Sequence, residues 1–455
     1  MGRWIVVGLF GATWIFATGA QAMTTATVSA QSTSYVRSST PYFRKDLNAS
    51  QMSILGMEFQ SHSKPVSKTD MFVDGAGFYS VAEGEAFLNL REAYLVRRWS
   101  SSRFTLGVGR KKTPWSFDDE VWQEGHWQPR FQWDGLRPES QGLTGLHLES
   151  DHFKDQHYVL FVSPIFLPNT GVSVREERGS LLSENPWFQT PRSSFEFQGA
   201  PTDIRYSLVK PDVNAIVFQP GVALMGRWQM DHHQLQAAYA YKPQNPLMLA
   251  APVRLRTYSS GETEIEVPIH PRSVYHHLAT LEHSFTKGPL KTVTSLTYDN
   301  PLVSELPEDW LAQSIGRTFA VGGHGLWDWG RWSSYLGARY VFGGDQKDKG
   351  QFALDESYFG RRYRWVEAWR AGLQLNTLYF KGLQVSGFME ATYDVAQNAG
   401  WYSVQCSVKP SVPWTFSLQA DVLGIVHETP VAMNDGFLRT YRANDRISLG
   451  MSYVY

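Results

Sequence analysis

The sequence predicts an all-β protein, a closed antiparallel transmembrane β-barrel of about 18 strands with about 16 as the alternative count. Three observations lead there. Beyond residue 22 there is no run of apolar residues long enough to cross a bilayer as a helix. Segments of roughly ten residues instead alternate apolar and polar side chains, the period-2 pattern that gives a strand one lipid-facing and one wet face. Short turn-forming stretches also alternate with long irregular ones, the asymmetry of a barrel with tight turns on one side of the membrane and loops on the other.

The 455 residues hold 42 Lys+Arg against 43 Asp+Glu, so no charge imbalance points to a nucleic-acid partner. The single Cys permits neither a disulfide framework nor a thiolate zinc site. Aromatic residues reach 14%, which suits a barrel girdled by Trp and Tyr at both interfaces.

At the N-terminus, Arg3 precedes an apolar stretch over 4–17 and the small-residue site Ala20-Gln21-Ala22. Together these form a signal peptide over 1–22, cut before Met23 after Sec export, with the barrel occupying 23–455. Strands are expected at 24–36, 51–62, 68–80, 85–99, 102–111, 141–150, 156–165, 214–229, 233–243, 272–285, 289–300, 314–327, 330–343, 362–378, 380–394, 398–409, 413–427 and 443–455. Short turns are expected at 61–68, 100–102, 151–156, 230–233, 286–289, 328–330, 380–382 and 410–413. Each bacterial barrel hairpin closes on such a turn at the periplasmic side, so eight turns imply nine outward hairpins.

The alternation is plain within these spans. Val222, Leu224 and Trp228 face away from Ala223, Met225 and Arg227; Leu336, Ala338, Tyr340 and Phe342 oppose Gly337 and Arg339. Val385, Met389, Ala391 and Tyr393 oppose Ser386, Glu390, Thr392 and Asp394, and Cys406 falls in phase with apolar Tyr402 and Val404. In the last strand Ile447, Leu449, Met451, Tyr453 and Tyr455 form one greasy face. That strand resembles the C-terminal signal by which the barrel-assembly machinery of Gram-negative bacteria recognises outer-membrane barrels, with Tyr453 and Tyr455 as its aromatics.

The run Leu90-Arg91-Glu92-Ala93-Tyr94-Leu95, followed by Gly109-Arg110 and Trp115, resembles the REAY and GR(x)nW elements of porin-like outer-membrane channels. The resemblance implies an outer-membrane location in a Gram-negative bacterium, contact with lipid, and a homo-oligomeric state. Arg110 is in phase with apolar Phe104, Leu106 and Val108, so its side of the wall is open between lumen and rim.

Ionisable residues on the expected inner faces are the candidates for lining a pore and setting its selectivity: Arg227, Asp299, Arg339, Arg370, Glu390, Asp394 and Asp421. The longest connection, 164–212, carries Arg175, Glu176, Glu177 and Arg178, a charge cluster able to fold into the pore as a constriction or to stand in solvent. A second connection, 112–140, holds Trp115, Trp122, Trp127 and Trp133 beside Asp118, Asp119 and Glu120. It can pack against its own barrel, meet a neighbouring subunit, or bind a sugar ring or calcium ion.

The 13 His residues show no H-E-x-x-H spacing, and no G-x-S-x-G or phosphate-binding loop occurs. No catalytic residue, metal or cofactor is therefore expected. The function expected is passive diffusion of small hydrophilic solutes or ions. The alternatives are an occluded, ring-forming barrel with a structural or lipid-interacting role and, third, an outer-membrane hydrolase with spatially paired Ser and His.

Overall fold

The computed structural model describes residues 22–36, 48–63, 69–99, 103–151, 155–191, 193–197, 199–259, 263–302, 310–344, 346–349, 362–425 and 436–455. The expected export segment, apart from Ala22, and the expected turn residues 64–68, 100–102 and 152–154 lie outside them.

Among the described residues one 18-stranded antiparallel sheet closes on itself. Its strands are β1 (Ala22–Tyr35), β2 (Gln51–Ser63), β3 (Thr69–Ser80), β4 (Glu85–Arg98), β5 (Phe104–Lys111), β6 (Leu143–Ser150), β7 (Gln156–Ser163), β8 (Gly221–Met230) and β9 (His233–Pro243). The second half is β10 (Tyr275–Lys287), β11 (Leu290–Leu302), β12 (Thr318–Asp328), β13 (Trp332–Gly343), β14 (Glu367–Phe380), β15 (Leu383–Asp394), β16 (Ala399–Ser411), β17 (Trp414–Ile425) and β18 (Arg446–Val454). Closure comes from β18 pairing with β1, in register from Thr27–Val454 to Tyr35–Arg446. Every strand thus has two hydrogen-bonded neighbours, and no backbone edge is left for lipid to meet.

The outer face is a membrane face. Leu281, Leu296, Val321, Leu336, Met389, Val404, Leu418 and Leu449 are all exposed there, although burial is the usual fate of such side chains in water. Aromatics flank this aliphatic belt. Towards the short turns lie Trp332, Phe380, Trp414, Phe416 and Tyr455, and towards the long connections Tyr239, Phe319, Tyr340, Trp369 and Tyr402. Two girdles around an apolar band are the mark of a transmembrane barrel. Cys406 is exposed on the same face.

Tyr453 and Tyr455 meet edge to face at 4.7 Å, and Trp414 packs on Tyr453 at 4.8 Å. The Tyr455 N–H donates to the Ala26 carbonyl across the closing seam at 2.8 Å. Replacing both tyrosines by Ser removes this cluster from the interface, and the yield of folded, membrane-inserted protein is expected to fall several-fold. Heat-modifiable electrophoretic mobility measures it; an unchanged folded fraction would contradict the assignment of this strand as an assembly element.

Two expected strands start five or more residues later than their sequence pattern does. Val213–Val217 is a helical turn capped by the Asp212 side chain, which accepts from the Asn214 N–H at 2.9 Å, so β8 begins only after Pro220. Residues 362–366 leave the wall before β14, drawn inward by contacts described below. The long connections also build a sheet of their own. Ala200–Leu208 runs parallel to Thr263–Arg272, which pairs with Met248–Pro252, and that strand pairs with Trp310–Ile315.

Candidate functional site

The connection 112–142 joins the adjacent strands β5 and β6, yet its side chains touch strands all around the circle. Only a loop folded into the lumen can do that. Glu139 reaches Arg91 on β4, Trp127 donates to Thr280 on β10, Arg137 pairs with Asp421 on β17, and Asp134 pairs with Arg446 on β18.

Its entry is built by a helix cap. Ser116 precedes the short helix α1 (Phe117–Trp122), and its hydroxyl accepts from the Asp119 N–H. The β10 carboxylate Glu282 takes the Ser116 hydroxyl at 2.7 Å and the N–H groups of Phe117 and Asp118 at 3.0 and 3.2 Å. An anion thereby satisfies the donors that a helix start leaves free. Trp115 stacks on Trp127 at 5.4 Å with planes 7° apart, and both are buried against β7–β10 side chains such as Phe161, Met225 and Leu278.

Past the helix start, charge pairs fix the loop to the opposite wall. Asp118 accepts from His324 on β12 at 2.8 Å, packed so closely over Gly322 that any side chain there would collide with its carboxylate. Glu124 lies 3.4 Å from Arg339 on β13 and accepts the backbone N–H groups of Arg364 and Trp365 at 3.1 and 3.2 Å. Those two bonds explain why 362–366 turn inward. Arg370 on β14 donates to the Val121 carbonyl, and its guanidinium lies 4.9 Å from the Trp122 ring and 5.6 Å from those of Trp365 and Trp401. Such cation–π contacts gain strength from desolvation. His126 accepts at Nδ1 from Arg362 at 2.8 Å; burial and the Arg362 and Arg339 charges hold its pKa well below the usual histidine range, as a ring accepting from an arginine requires.

At the far wall, Arg137 grips Asp421 through two contacts of 2.7 and 2.5 Å, while Arg446 takes the same carboxylate at 2.8 Å and Asp134 at 2.8 Å. Asp421 is 1% exposed, so the carboxylate at the centre of this four-residue alternation of charge is shielded from solvent screening.

The loop's roots coincide with the REAY and GR(x)nW residues. Arg91 donates to Asp74 at 3.0 Å and to Glu139 at 3.1 Å, Glu92 accepts the Lys112 N–H at 2.8 Å, and the Arg91 carbonyl accepts from Gly142. Lys111 lies over the Tyr94 ring and pairs with Glu149. Arg110 donates to the Gly142 carbonyl and the Gln141 side chain at 3.1 and 2.7 Å, which places it at the loop-side rim. The motif is the socket from which the loop leaves the wall.

Space remains on both sides of this loop. A cavity of about 460 Å³ on the loop side is bordered by Glu124, Gln132, Arg362, Arg364 and Tyr441. On the turn side, about 300 Å³ is bordered by Phe117, Glu120, Arg227, Gln234, Glu282 and Lys291.

No family model and no curated protein matches the sequence. Among solved structures the chain is similar to OccAB3 of Acinetobacter baumannii, at 11% identity over 96% of this chain and 99% of that one, TM-score 0.49. It is similar to OccK2 (OpdF) of Pseudomonas aeruginosa at 12% over 95% and 97%, TM-score 0.48, and to a BenF-like porin from Pseudomonas fluorescens Pf-5 at 11% over 96% and 98%, TM-score 0.48. No residue role is carried across at that identity.

All seven candidate pore residues stand on the inner face, though most are covered. Arg339, Arg370 and Asp421 hold the loop; Asp299 accepts from buried His276 at 2.7 Å; Asp394 accepts the Val366 and Gln397 N–H groups at 2.8 and 2.9 Å. Glu390 lies 4.0 Å from Arg370. Arg227, half-buried, donates to Gln236 at 2.9 Å and borders the turn-side cavity. Arg175, Glu176, Glu177 and Arg178 are exposed on a small hairpin, Arg175–Glu177 against Ser180–Leu182; the segment that occupies the interior is 112–142. In its acidic triplet, Asp119 accepts the His126 and Trp127 N–H groups at 3.0 and 3.2 Å, and Glu120 pairs with Arg130 at 3.1 Å. These bonds use the triplet for packing. Glu282, Glu124, His324, Arg137 and Arg446 were not singled out by their own sequence context, because each matters through a partner far along the chain.

Proposed function

We propose that this barrel is an outer-membrane channel through which small hydrophilic solutes or ions diffuse passively, narrowed by its own loop 112–142. The observation that carries this reading is the pair of cavities, each bordered by charged side chains, on either side of a loop that spans the lumen. Polar residues of the inner face, among them Gln31, Gln234 and Lys291, stay open to solvent on the turn side of that loop. Arg227 and Lys291 form no ion pair among the described residues, so a permeating solute meets positive charge there. Of the other inner-face candidates, Arg339, Arg370 and Asp421 act on the path by fixing the loop, as do Asp299, Glu390 and Asp394 through their neighbours.

Export through a signal peptide over 1–22, insertion by the barrel-assembly machinery through β18, and association into a homo-oligomer belong to the same reading. Planar-bilayer recording of the purified, detergent-folded protein tests it: stepwise ohmic conductance is expected. No conductance from correctly folded protein would overturn it in favour of an occluded barrel with a structural or lipid-interacting role, and particle images would then show a closed ring of subunits.

A further inference from the structure

We propose that His233 and His283 form a two-imidazole transition-metal site on the turn-side rim of the outer face. His233 opens β9 and His283 lies on β10, diagonal across the ladder in which His233 pairs with Phe285 and Leu235 with His283. Nδ1 of His233 and Nε2 of His283 are 3.0 Å apart, with the ring centroids at 5.2 Å and the planes 24° apart. Both rings are exposed.

Two neutral imidazoles at this separation share one proton between two lone pairs. A metal ion can occupy that position after small rotations of the exposed side chains, once the donating ring carries its proton on its other nitrogen, so that both rings stay neutral and both facing lone pairs are free. With metal–nitrogen bonds of about 2.0–2.1 Å, donors 3.0 Å apart subtend roughly 94° at the ion. That is the angle between neighbouring ligands of a square-planar or octahedral centre and well below the tetrahedral angle, so the pair selects Cu²⁺ or Ni²⁺ over Zn²⁺. Water completes the coordination, since among the described residues no cluster of three or more His, Cys, Asp or Glu is arranged to hold a metal. The adjacent His232 packs edge to face on Phe285 at 6.2 Å, which leaves it beside the pair as a ring held by an apolar neighbour.

Among the described residues no other pair of histidines is hydrogen-bonded at this separation. His126, His147, His276 and His324 are buried, and His157 is bonded to Asp151 at 2.7 Å. The site does not depend on whether the lumen conducts, because it lies on the opposite face of the wall.

The test is titration of Cu²⁺ alone into the detergent-folded, tag-free protein, followed by continuous-wave electron paramagnetic resonance. One equivalent is expected to show superhyperfine coupling to two nitrogens. H233Q and H283Q should each weaken binding at least tenfold and erase the two-nitrogen pattern, while H157Q and H277Q leave both unchanged. Heat-modifiable mobility of each variant establishes that the barrel is folded. Absence of a one-equivalent site, or its persistence in folded H283Q, would overturn the assignment; tighter binding of Zn²⁺ than of Ni²⁺ would overturn the geometry.

Discussion

Asp421→Ala is expected to destabilise the folded barrel by about 3–5 kcal/mol, the range for removing one partner of a buried ion pair. The carboxylate accepts from Arg137, Arg446, Trp401 and Gln419 together, so no other side chain can replace it. Arg446 keeps Asp134 at 2.8 Å, whereas Arg137 keeps Ser403 and the Trp401 face but, among the described residues, no other ion-pair partner. The loss therefore falls on the loop more than on the wall. Two measurements separate these effects. The temperature at which the compact electrophoretic band disappears reports the wall, and cleavage by trypsin after Arg130, buried in the docked loop and followed by Phe131, reports loop release. Arg137→Ala alone should release the loop with a smaller loss of stability, because it leaves Asp421 paired with Arg446. Equal thermal midpoints for Asp421→Ala and the parent protein would show that the network contributes nothing net.

The barrel was legible in the sequence because membrane and lumen impose opposite demands on alternate residues of one short segment. Val385 to Asp394 announces both faces without reference to any other strand, and the turns are local as well. All eighteen expected spans overlap barrel strands. The two late starts, β8 and β14, arise where a local cap or a lumenal contact overrides the alternation. The site was less legible because its bonds are not local: Glu282 caps a helix that begins 165 positions earlier at Phe117. Placing a charge on the inner face is a question of parity; whether water or a loop covers it is a question of tertiary packing. Arg227 and Arg370 share the first property and differ in the second, for Arg370 is 5% exposed beneath three tryptophans while Arg227 borders a cavity.

That difference decides where charge should tune permeation. Replacing Arg227 and Lys291 together by Gln is expected to shift the channel toward cations, because the carboxylates beside them are already committed: Glu282 to Ser116, Ser295 and the start of α1, Glu120 to Arg130, Gln128 and Ser140. Those bonds hold the carboxylates in place without removing their charge, so taking away the two cations leaves Glu282 unopposed and makes the cavity more negative. An ion passing at roughly 10 Å in water interacts with each by about 0.4 kcal/mol before screening. At about 0.1 M salt, where the screening length is also about 10 Å, the double substitution should change the anion-to-cation permeability ratio about threefold. At about 1 M, with screening over roughly 3 Å, the change should nearly vanish. Arg339→Gln makes the contrasting case. It removes a single positive charge and leaves Glu124 and Asp118 buried beside it, so its expected signature is noisier current from a loosened loop. Reversal potentials under a salt gradient decide between the two modes: an unchanged value in the Arg227 and Lys291 double variant would mean that ions bypass the turn-side cavity.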